Sequence, residues 1–299
     1  MFVVTHRKYF YIFSGLLVAL SFIAMFAHGL NLGIDFKGGS LLEVGYASST
    51  PAMSDVQKTV THVTGTEPSV RPIGDNGYLI RTRSLSEPEH QVLLKALSND
   101  AKTPVDEKRF DSIGPLLGSE AAHKSLISIV LVIIAIICFI AFAFRKVSQP
   151  VASWKYGIIT IVALLHDVLV PTGVFVVLGH FNPVIEIDTL FVTALLVILG
   201  FSVHDTIVVF DRVRENLKYS RKASFAETVG TSISQTFVRS INTSLTVVFS
   251  LIVLYFLGGA ATQNFTLALL IGVVAGTYSS IFIGSPLLVT VEKWQNRKK

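Results

Sequence analysis

Long apolar stretches separated by shorter polar ones run through most of this chain of 299 residues. Each stretch approaches the roughly 20 residues that an α-helix needs to cross the hydrocarbon core of a bilayer. The first is longer than the apolar region of a typical signal peptide, and "AMFAHG" is a poor cleavage site, so we expect it to remain as a span. The pattern predicts an α-helical polytopic membrane protein with six transmembrane helices, at about Phe10–Ala27, Leu126–Phe144, Gly157–Leu178, Thr189–Phe210, Ile241–Leu257 and Phe265–Val291.

The composition agrees with a membrane location. Hydrophobic residues make up 51% of the chain and charged residues 15%, whereas about a quarter of the residues in a soluble domain are charged. The net charge of +5 comes from basic residues spread through the loops, which does not indicate a nucleic-acid partner. The single cysteine, Cys138, has no partner for an intrachain disulfide, and we expect it to act as a small apolar residue.

The distribution of Lys and Arg among the loops predicts the orientation. The loops "GHFNPVIEI" and "GGAATQN" contain neither residue. The other two short loops and the tail 293–299 are basic, with Arg145, Lys146, Lys155, Arg212, Arg214, Lys218, Arg221, Lys222, Lys293, Arg297, Lys298 and Lys299. Because basic loops stay in the cytoplasm, both termini are predicted to be cytoplasmic.

One long connection, residues 31–124, lies between spans one and two and is therefore predicted to lie on the outer side of the membrane. "SLLEVGY", "SVRPI", "YLIRTR" and "VDEKRFDSIG" are typical of strands, and "GDNG" indicates a hairpin turn. Capping boxes at Ser54…Gln57 and Ser86…Glu89 predict the starts of two helices. The order βαββαβ predicts an extracytoplasmic ferredoxin-like α+β domain. The expected organisation is then 1–30, 31–124, 125–292 and 293–299.

The insert carries no signature of an enzyme. It has no Ser-His-Asp arrangement, no phosphate-binding loop and no cluster with metal-ligand spacing. His62 and His90 fall on the predicted helices, where we expect them on the surface. The sequence therefore predicts a binding or moving domain without catalytic residues, cofactor or metal.

Ionisable residues occur inside the predicted spans. Span four contains His204 and Asp205, and Asp205 lies roughly 8 Å inside its cytoplasmic end. Span three contains a second pair, His166 and Asp167, near its midpoint. Arg239 begins span five, at a depth near that of Asp205 because spans four and five meet at the same membrane face. A central acidic side chain costs about 2.5–3.5 kcal/mol on insertion scales, so Asp205 is expected to face the bundle interior and to have a partner.

Two interpretations of Asp205 follow. It is either a structural residue hydrogen-bonded to Ser, Thr or backbone, or a site that binds and releases a proton. Burial favours the protonated form of a carboxyl group, and a nearby arginine favours the ionised form. A carboxyl group that experiences both effects can bind and release a proton. The second interpretation is preferred because intramembrane ionisable residues are usually functional. His204 and His166 fit a structural role slightly better, and Arg239 fits either a coupling role or snorkelling to the headgroups.

Two further patterns concern spans five and six. Gly272 and Gly276 in "GVVAG" form a small-xxx-small pattern that suits close packing of helices. A capping box at Ser224…Glu227 predicts a helix at the cytoplasmic surface between spans four and five.

Four motifs stand out along the chain: "LNLGIDFKGGSLLEV" after span one, "ALLHDV" in span three, "GFSVHDTIVVFDRVREN" in span four and "SQTFVRSINTSLT" at the start of span five. Together they resemble the SecF proteins of the SecD/SecF family. With six spans and one insert, the resemblance covers essentially the whole chain. The first motif contains the family positions Gly33, Asp35, Phe36, Gly38 and Gly39.

The resemblance implies half of an RND-type, proton-driven machine in the bacterial inner membrane. It implies a complex with SecD that assists the SecYEG translocon, with YajC as a further partner, and that uses the proton-motive force to help polypeptides complete their export. Asp205 and Arg239 match the family's proton-coupling aspartate and arginine, and Asp167 and His204 lie in matching motifs. His204 departs from the pattern, because asparagine is usual before the aspartate, and histidine can itself carry a proton.

Two other hypotheses remain. Half of an RND-type exporter of small molecules or lipids would use the same intramembrane acid. A passive assembly factor would keep its activity when Asp205 is neutralised.

Overall fold

The computed structural model describes residues 1–47, 50–98, 104–145, 151–182, 184–219 and 223–296. Its helices are α1 (Phe2–Thr5), α2 (Arg7–His28), α3 (Ile34–Lys37), α4 (Met53–Thr64), α5 (Glu87–Leu97), α6 (Pro115–Ala143), α7 (Ser153–Phe181), α8 (Thr189–Tyr219), α9 (Phe225–Leu257), α10 (Ala260–Ser279), a π-helical turn (Ser280–Gly284) and α11 (Ser285–Asn296). Its strands are β1 (Gly39–Tyr46), β2 (Ser69–Ile73), β3 (Gly77–Thr82) and β4 (Val105–Ile113). The chain divides into a membrane unit, Met1–Asn31 with Ile127–Lys299, and a sheet unit, Leu32–Leu126.

Half of the basic residues that predict the orientation lie outside the described residues. These are Lys146, Arg221, Lys222, Arg297, Lys298 and Lys299.

Within the described ranges, six helical segments are long and apolar enough to cross a membrane, which confirms the predicted number of spans. They are Arg7–His28, Pro115–Ala143, Trp154–Phe181, Thr189–Tyr219, Phe225–Leu257 and Thr262–Asn296. Most of them extend beyond the apolar stretches, because a helix continues into polar sequence until a residue or a turn ends it.

The start of α9 corrects one prediction. The hydroxyl of Ser224 accepts from the backbone N–H of Glu227 at 3.2 Å, and the Glu227 carboxylate accepts from the Ser224 N–H at 2.8 Å, so the capping box is confirmed. The same helix then runs without a break to Leu257. The prediction of a surface helix distinct from span five was therefore wrong. The segment contains no proline and only one glycine, Gly230, so nothing in it interrupts the helix.

The core of the membrane unit lies around α8 and the sixth span, which contact each other closely. A Cβ atom on Gly272 would overlap the side chain of Ile198, and one on Gly276 would lie 3.0 Å from the Cβ of Ser202. The two glycines thus allow the backbones of spans four and six to approach, as the small-xxx-small pattern predicts. Two-thirds of the sixth span's apolar window is buried (67%), against 6% for the second span.

The sheet unit has the element order βαββαβ. Its four strands are antiparallel and lie in the order β2-β3-β1-β4, with β2 and β3 joined as the hairpin that the sequence predicts. Helices α4 and α5 supply Val56, Val60, Leu93 and Leu97 to a core that they share with the alternating positions Leu42, Val44, Tyr46, Val70, Tyr78 and Ile80 of the strands.

The family motif forms the short helix α3 and the turn into β1. Gly38 and Gly39 have φ angles of 73° and 121°, which side chains with a Cβ rarely adopt. A Cβ atom on Gly38 would lie 2.7 Å from the Cα of Pro115, and one on Gly39 would lie 2.8 Å from the carbonyl oxygen of Thr82. Both glycines are therefore required by conformation and by space, which accounts for the paired glycines of the motif.

Two details of the insert differ from expectation. Helix α4 begins at Met53 with Ala52 as N-cap, so Ser54 lies inside the first turn and the predicted capping box there was wrong. The extended backbone of Ala52 follows Pro51 directly, which places the start of the helix two residues earlier than the serine.

Of the two insert histidines, His62 is exposed, as predicted, whereas His90 is buried, with 3% of its surface exposed. Its ring stacks on Phe110 of β4 at a centroid distance of 3.6 Å. The expectation of a surface position for His90 was therefore wrong, since it packs between a helix and a distant strand.

Candidate functional site

Asp205 is buried in α8 and is held by hydroxyl groups from two other spans. The Ser240 hydroxyl of α9 donates to Oδ1 at 2.8 Å, and the Ser280 hydroxyl of the π-helical turn donates to Oδ2 at 3.0 Å. Only 5% of Asp205 is exposed. The carboxyl group therefore joins spans four, five and six at one point.

Asp167 forms a second buried site in α7. Its Oδ2 accepts hydrogen bonds from the hydroxyls of Ser202 at 2.5 Å and of Ser279 at 2.7 Å. Its Oδ1 lies 2.9 Å from Nδ1 of the neighbouring His166, whose ring is also buried. This site joins spans three, four and six.

The two carboxyl groups are linked through the sixth span. Ser279 is the last residue of α10 and Ser280 is the first of the π-helical turn, so adjacent residues contact Asp167 and Asp205 respectively. Two hydrogen bonds stabilise the π-helical turn, because the hydroxyl and the backbone N–H of Ser285 both donate to the carbonyl oxygen of Ser280. Short π segments inside α-helices are frequent at functional sites.

Arg239 and His204, the two other predicted site residues, have exposed side chains in this unit. Consecutive residues of an α-helix point about 100° apart, so Arg239 turns away where Ser240 turns toward Asp205. His204 is turned away from Asp205 for the same reason. Within the part of the chain that the structure describes, no ion pair joins Arg239 to Asp205. The structure thus brings together Asp205, Asp167 and their serines but not Arg239 or His204.

The serines are the site residues that sequence reasoning missed. Ser202, Ser240, Ser279 and Ser280 are all buried. A usable signal was present in span six, where "YSSIF" places two adjacent serines in a mostly apolar span.

The chemistry available here is the binding of protons by buried carboxyl groups. An ionised carboxylate only accepts hydrogen bonds, whereas a protonated one donates through its O–H. Among the described residues, no group of three or more His, Cys, Asp or Glu side chains is arranged to hold a metal ion. The hydroxyl donors are neutral and can rotate, so a serine can change from donor to acceptor when the carboxyl group takes up a proton.

The fold and these sites define a polytopic membrane protein with two carboxyl groups inside its helical bundle. Comparison with models of known protein families identifies the family. Residues 93–294 match the model "Protein export membrane protein SecD/SecF, C-terminal", and residues 23–50 match the "SecD/SecF GG Motif". The chain therefore belongs to the SecD/SecF family, which confirms the resemblance seen in the motifs.

Curated relatives match over nearly the whole chain. The "Protein translocase subunit SecF" of Thermobaculum terrenum is 43% identical over 99% of this chain and 94% of its own length. The subunit of the same name from Anaerolinea thermophila is 39% identical over 97% of this chain and 94% of its own.

Among solved structures, SecDF from Thermus thermophilus, described as a translocon-associated membrane protein, is 30% identical with a TM-score of 0.82 over 98% of this chain. A SecDF structure in a super-membrane-facing form has a TM-score of 0.67 at 31% identity. This chain spans 38% of the length of each of those SecDF chains.

Proposed function

We propose that this chain is the SecF-type subunit of a SecD–SecF complex, which uses the proton-motive force to assist SecYEG-dependent export of polypeptides. It works by conformational change and not as an enzyme. Family membership supports the class of function. The single observation that carries the coupling is the position of Asp205, a buried carboxyl group bonded to spans five and six at once.

Protonation of Asp205 changes what it offers to its partners. When ionised, it accepts from Ser240 and Ser280; when protonated, it needs an acceptor for its own hydrogen, so at least one of these contacts must reorganise. A hydrogen bond to a charged group contributes about 1.5–3 kcal/mol. A charge crossing the membrane potential supplies about 2.3 kcal/mol per 100 mV. The two energies are similar in size, so the free energy that one proton gains from the membrane potential can offset the loss of one such contact.

The exposed polar side chains of α9 support SecD as the partner. Arg239, Asn242, Thr243 and Thr246 lie within the helical span Phe225–Leu257 and are exposed in this chain alone. Charged and polar groups in a bilayer face other helices or water-filled cavities rather than lipid. We propose that SecD covers this face and that Arg239 acts in coupling from there. His204 is exposed one residue before Asp205 and contributes from the same subunit interface.

The proposed placement follows from the charge pattern and the strand order. Both termini lie in the cytoplasm of a bacterium, the chain crosses the inner membrane, and the sheet unit lies outside it. The order β2-β3-β1-β4 with two helices supports a ferredoxin-like domain. The translocating polypeptide and YajC complete the set of partners.

Export into vesicles that contain SecYEG, SecD and this chain tests the proposal. Asp205→Asn should abolish export driven by a proton gradient while insertion and SecD binding remain. Asp211→Asn is the matched control, because Asp211 lies on the same helix but is exposed and paired with Arg214 at 2.5 Å, and it should export normally. Wild-type export by Asp205→Asn at equal expression would refute the proposal. Co-purification of a periplasmic adaptor instead of SecD would favour the exporter.

A further inference from the structure

Ser279 and Ser280 each have two acceptors for a single hydroxyl hydrogen. Ser279 Oγ lies 2.7 Å from Oδ2 of Asp167 and 3.1 Å from the carbonyl oxygen of Gly276. Ser280 Oγ lies 3.0 Å from Oδ2 of Asp205 and 3.0 Å from the carbonyl oxygen of Thr277. A serine hydroxyl has one donor hydrogen and two acceptor lone pairs. Each of these two serines can therefore turn between a carboxylate and its own helix.

We propose that Asp167 and His166 form a second protonation site and that Ser279 and Ser280, as positioning residues, couple this site to Asp205. The inference rests on the proposed proton-driven function and extends it from one carboxyl group to two. Proton binding to Asp205 forms one O–H bond and release breaks it. The serine hydroxyls keep their own hydrogens and only rotate.

The coupling follows from the carbonyl oxygens of the sixth span to which the two serine hydroxyls can also donate. When Asp205 is protonated, its O–H donates to Ser280, and Ser280 gives its hydrogen to Thr277. The neighbouring carbonyl of Gly276 already accepts from the backbone N–H of Ser280 and from the Ser279 hydroxyl. A change in the acceptor of the Ser280 hydroxyl therefore affects the helical turn that positions the Ser279 hydroxyl against Asp167. This turn is the junction where α10 becomes π-helical, where the backbone pattern already changes from one form to the other.

The His166–Asp167 pair has room for a further proton. With its hydrogen on Nδ1, His166 donates to Asp167 at 2.9 Å and leaves Nε2 as a bare acceptor. In the described part of the chain Nε2 is buried and has no hydrogen-bond partner. A proton can thus enter at Nε2 while the Nδ1 hydrogen passes to Oδ1 of Asp167. The pair then gains one proton, the carboxyl group becomes protonated, and its O–H donates back to Nδ1.

Few other titratable groups surround the two sites. On the Asp167 side, α10 contributes Tyr278, whose ring lies 6.0 Å from that of His166 and whose hydroxyl contacts Ser14 of α2. The other groups in contact with the two carboxyls are the serines and His166. The sites therefore have no nearby fixed cation to hold them ionised among the contacts that the structure describes.

A matched pair of variants tests the coupling. Ser240→Ala and Ser280→Ala each remove one hydroxyl donor from Asp205, but only Ser280 is adjacent to Ser279, one of the two serines that donate to Asp167. Infrared difference spectra of the full chain in vesicles report the carbonyl band of each protonated carboxyl as pH changes, and Asp167→Asn and Asp205→Asn assign the two bands. Both serine variants should move the Asp205 midpoint, by about 1–2 pH units. Only Ser280→Ala should also move the Asp167 midpoint, and Ser280→Thr, which keeps the hydroxyl, should restore it.

Three results would overturn the inference. The first is an Asp167 band that does not change with pH, and the second is an Asp167 midpoint that neither serine variant moves. The third is an equal shift of the Asp167 midpoint in both variants, which would indicate electrostatic coupling through space. These outcomes are independent of the export assay. In the export assay, the proposed function fails if Asp205→Asn exports normally. The infrared spectra can exclude the second protonation site even when Asp205→Asn has lost export.

Discussion

The contact between spans four and six at Gly272 yields a quantitative prediction. A Cβ atom there would overlap Cδ1 and Cγ1 of Ile198 and lie 3.0 Å from its Cγ2. Packed carbon atoms normally lie about 3.5–4.0 Å apart. Ile198 is fully buried, so its side chain cannot turn into solvent or lipid to make room. Gly272→Ala should therefore push the two spans apart.

The magnitude combines two opposing effects. Overpacking a core costs about 1–3 kcal/mol, whereas replacing a helical glycine with alanine favours the helix by about 1 kcal/mol. Gly200 of α8 is the control, because a Cβ atom there meets nothing within 4 Å. Gly200→Ala should be stabilised by about 1 kcal/mol and Gly272→Ala destabilised by up to about 2 kcal/mol. The difference between the variants corresponds to roughly 5- to 150-fold in the unfolding equilibrium.

Unfolding of the purified variants in mixed micelles, titrated with a denaturing detergent, measures this difference. Ile198→Ala removes all three clashing carbons, so the double variant should be more stable than the sum of the two single changes predicts. Export should fall with Gly272→Ala as well, since Ser279 and Ser280 lie two turns further along the same span. Equal stability of Gly272→Ala and Gly200→Ala would refute the argument from packing.

Three further predictions concern other charged groups. Arg239→Lys should retain part of proton-driven export in vesicles and Arg239→Leu little, because lysine keeps the charge but not the planar guanidinium; normal export by Arg239→Leu would exclude a coupling role. If His204 titrates together with Asp205, His204→Asn should shift the midpoint of the pH profile of export, and superimposable profiles would leave it a packing residue. In the sheet unit, a hydrogen bond from Arg83, followed by bonds from the N-cap serine, lowers the pKa of Glu89 from 4.5 to about 2. Since the folded pKa is depressed, the stabilisation is present above pH 4.5 and is lost as the pH falls through 2. Hydrogen exchange of α5 amides should therefore be faster in Glu89→Gln than in wild type at neutral pH, and the two rates should converge below pH 2. A difference that persists well below pH 2 would contradict this.

The spans could be predicted from sequence because their constraint is local. A span must be apolar over about 20 residues wherever it lies in the bundle. The φ angles of the paired glycines in the family motif are a local constraint, whereas the backbone of Pro115 and Thr82 that crowds them is brought there only by the fold. The small-xxx-small pattern in span six also predicted close helix packing, although only the structure identifies Ile198 as the residue that packs against Gly272.

The partners of Asp205 could not be predicted, because they depend on how distant helices pack. Ser240 and Ser280 lie 35 and 75 residues away in the chain, and spans five and six contain other serines and threonines with similar surroundings in sequence. Which hydroxyl reaches the carboxyl group is decided by helix rotation and by the π-helical turn. His90 is a similar case, since its burial depends on a strand that follows some twenty residues later.

The neutral partners of Asp205 also bear on how a proton could do work here. A direct ion pair between Asp205 and Arg239 in the low-dielectric interior would hold the carboxylate ionised strongly, because Coulomb energies rise steeply as the dielectric constant falls. Breaking it would require far more than the approximately 2.3 kcal/mol that one charge gains per 100 mV. Two serine hydroxyls bind the carboxylate less tightly and can accept from the carboxyl group once it is protonated. A proton that enters a site built this way does not have to break an ion pair among the described contacts, so a modest membrane potential can drive the exchange of partners.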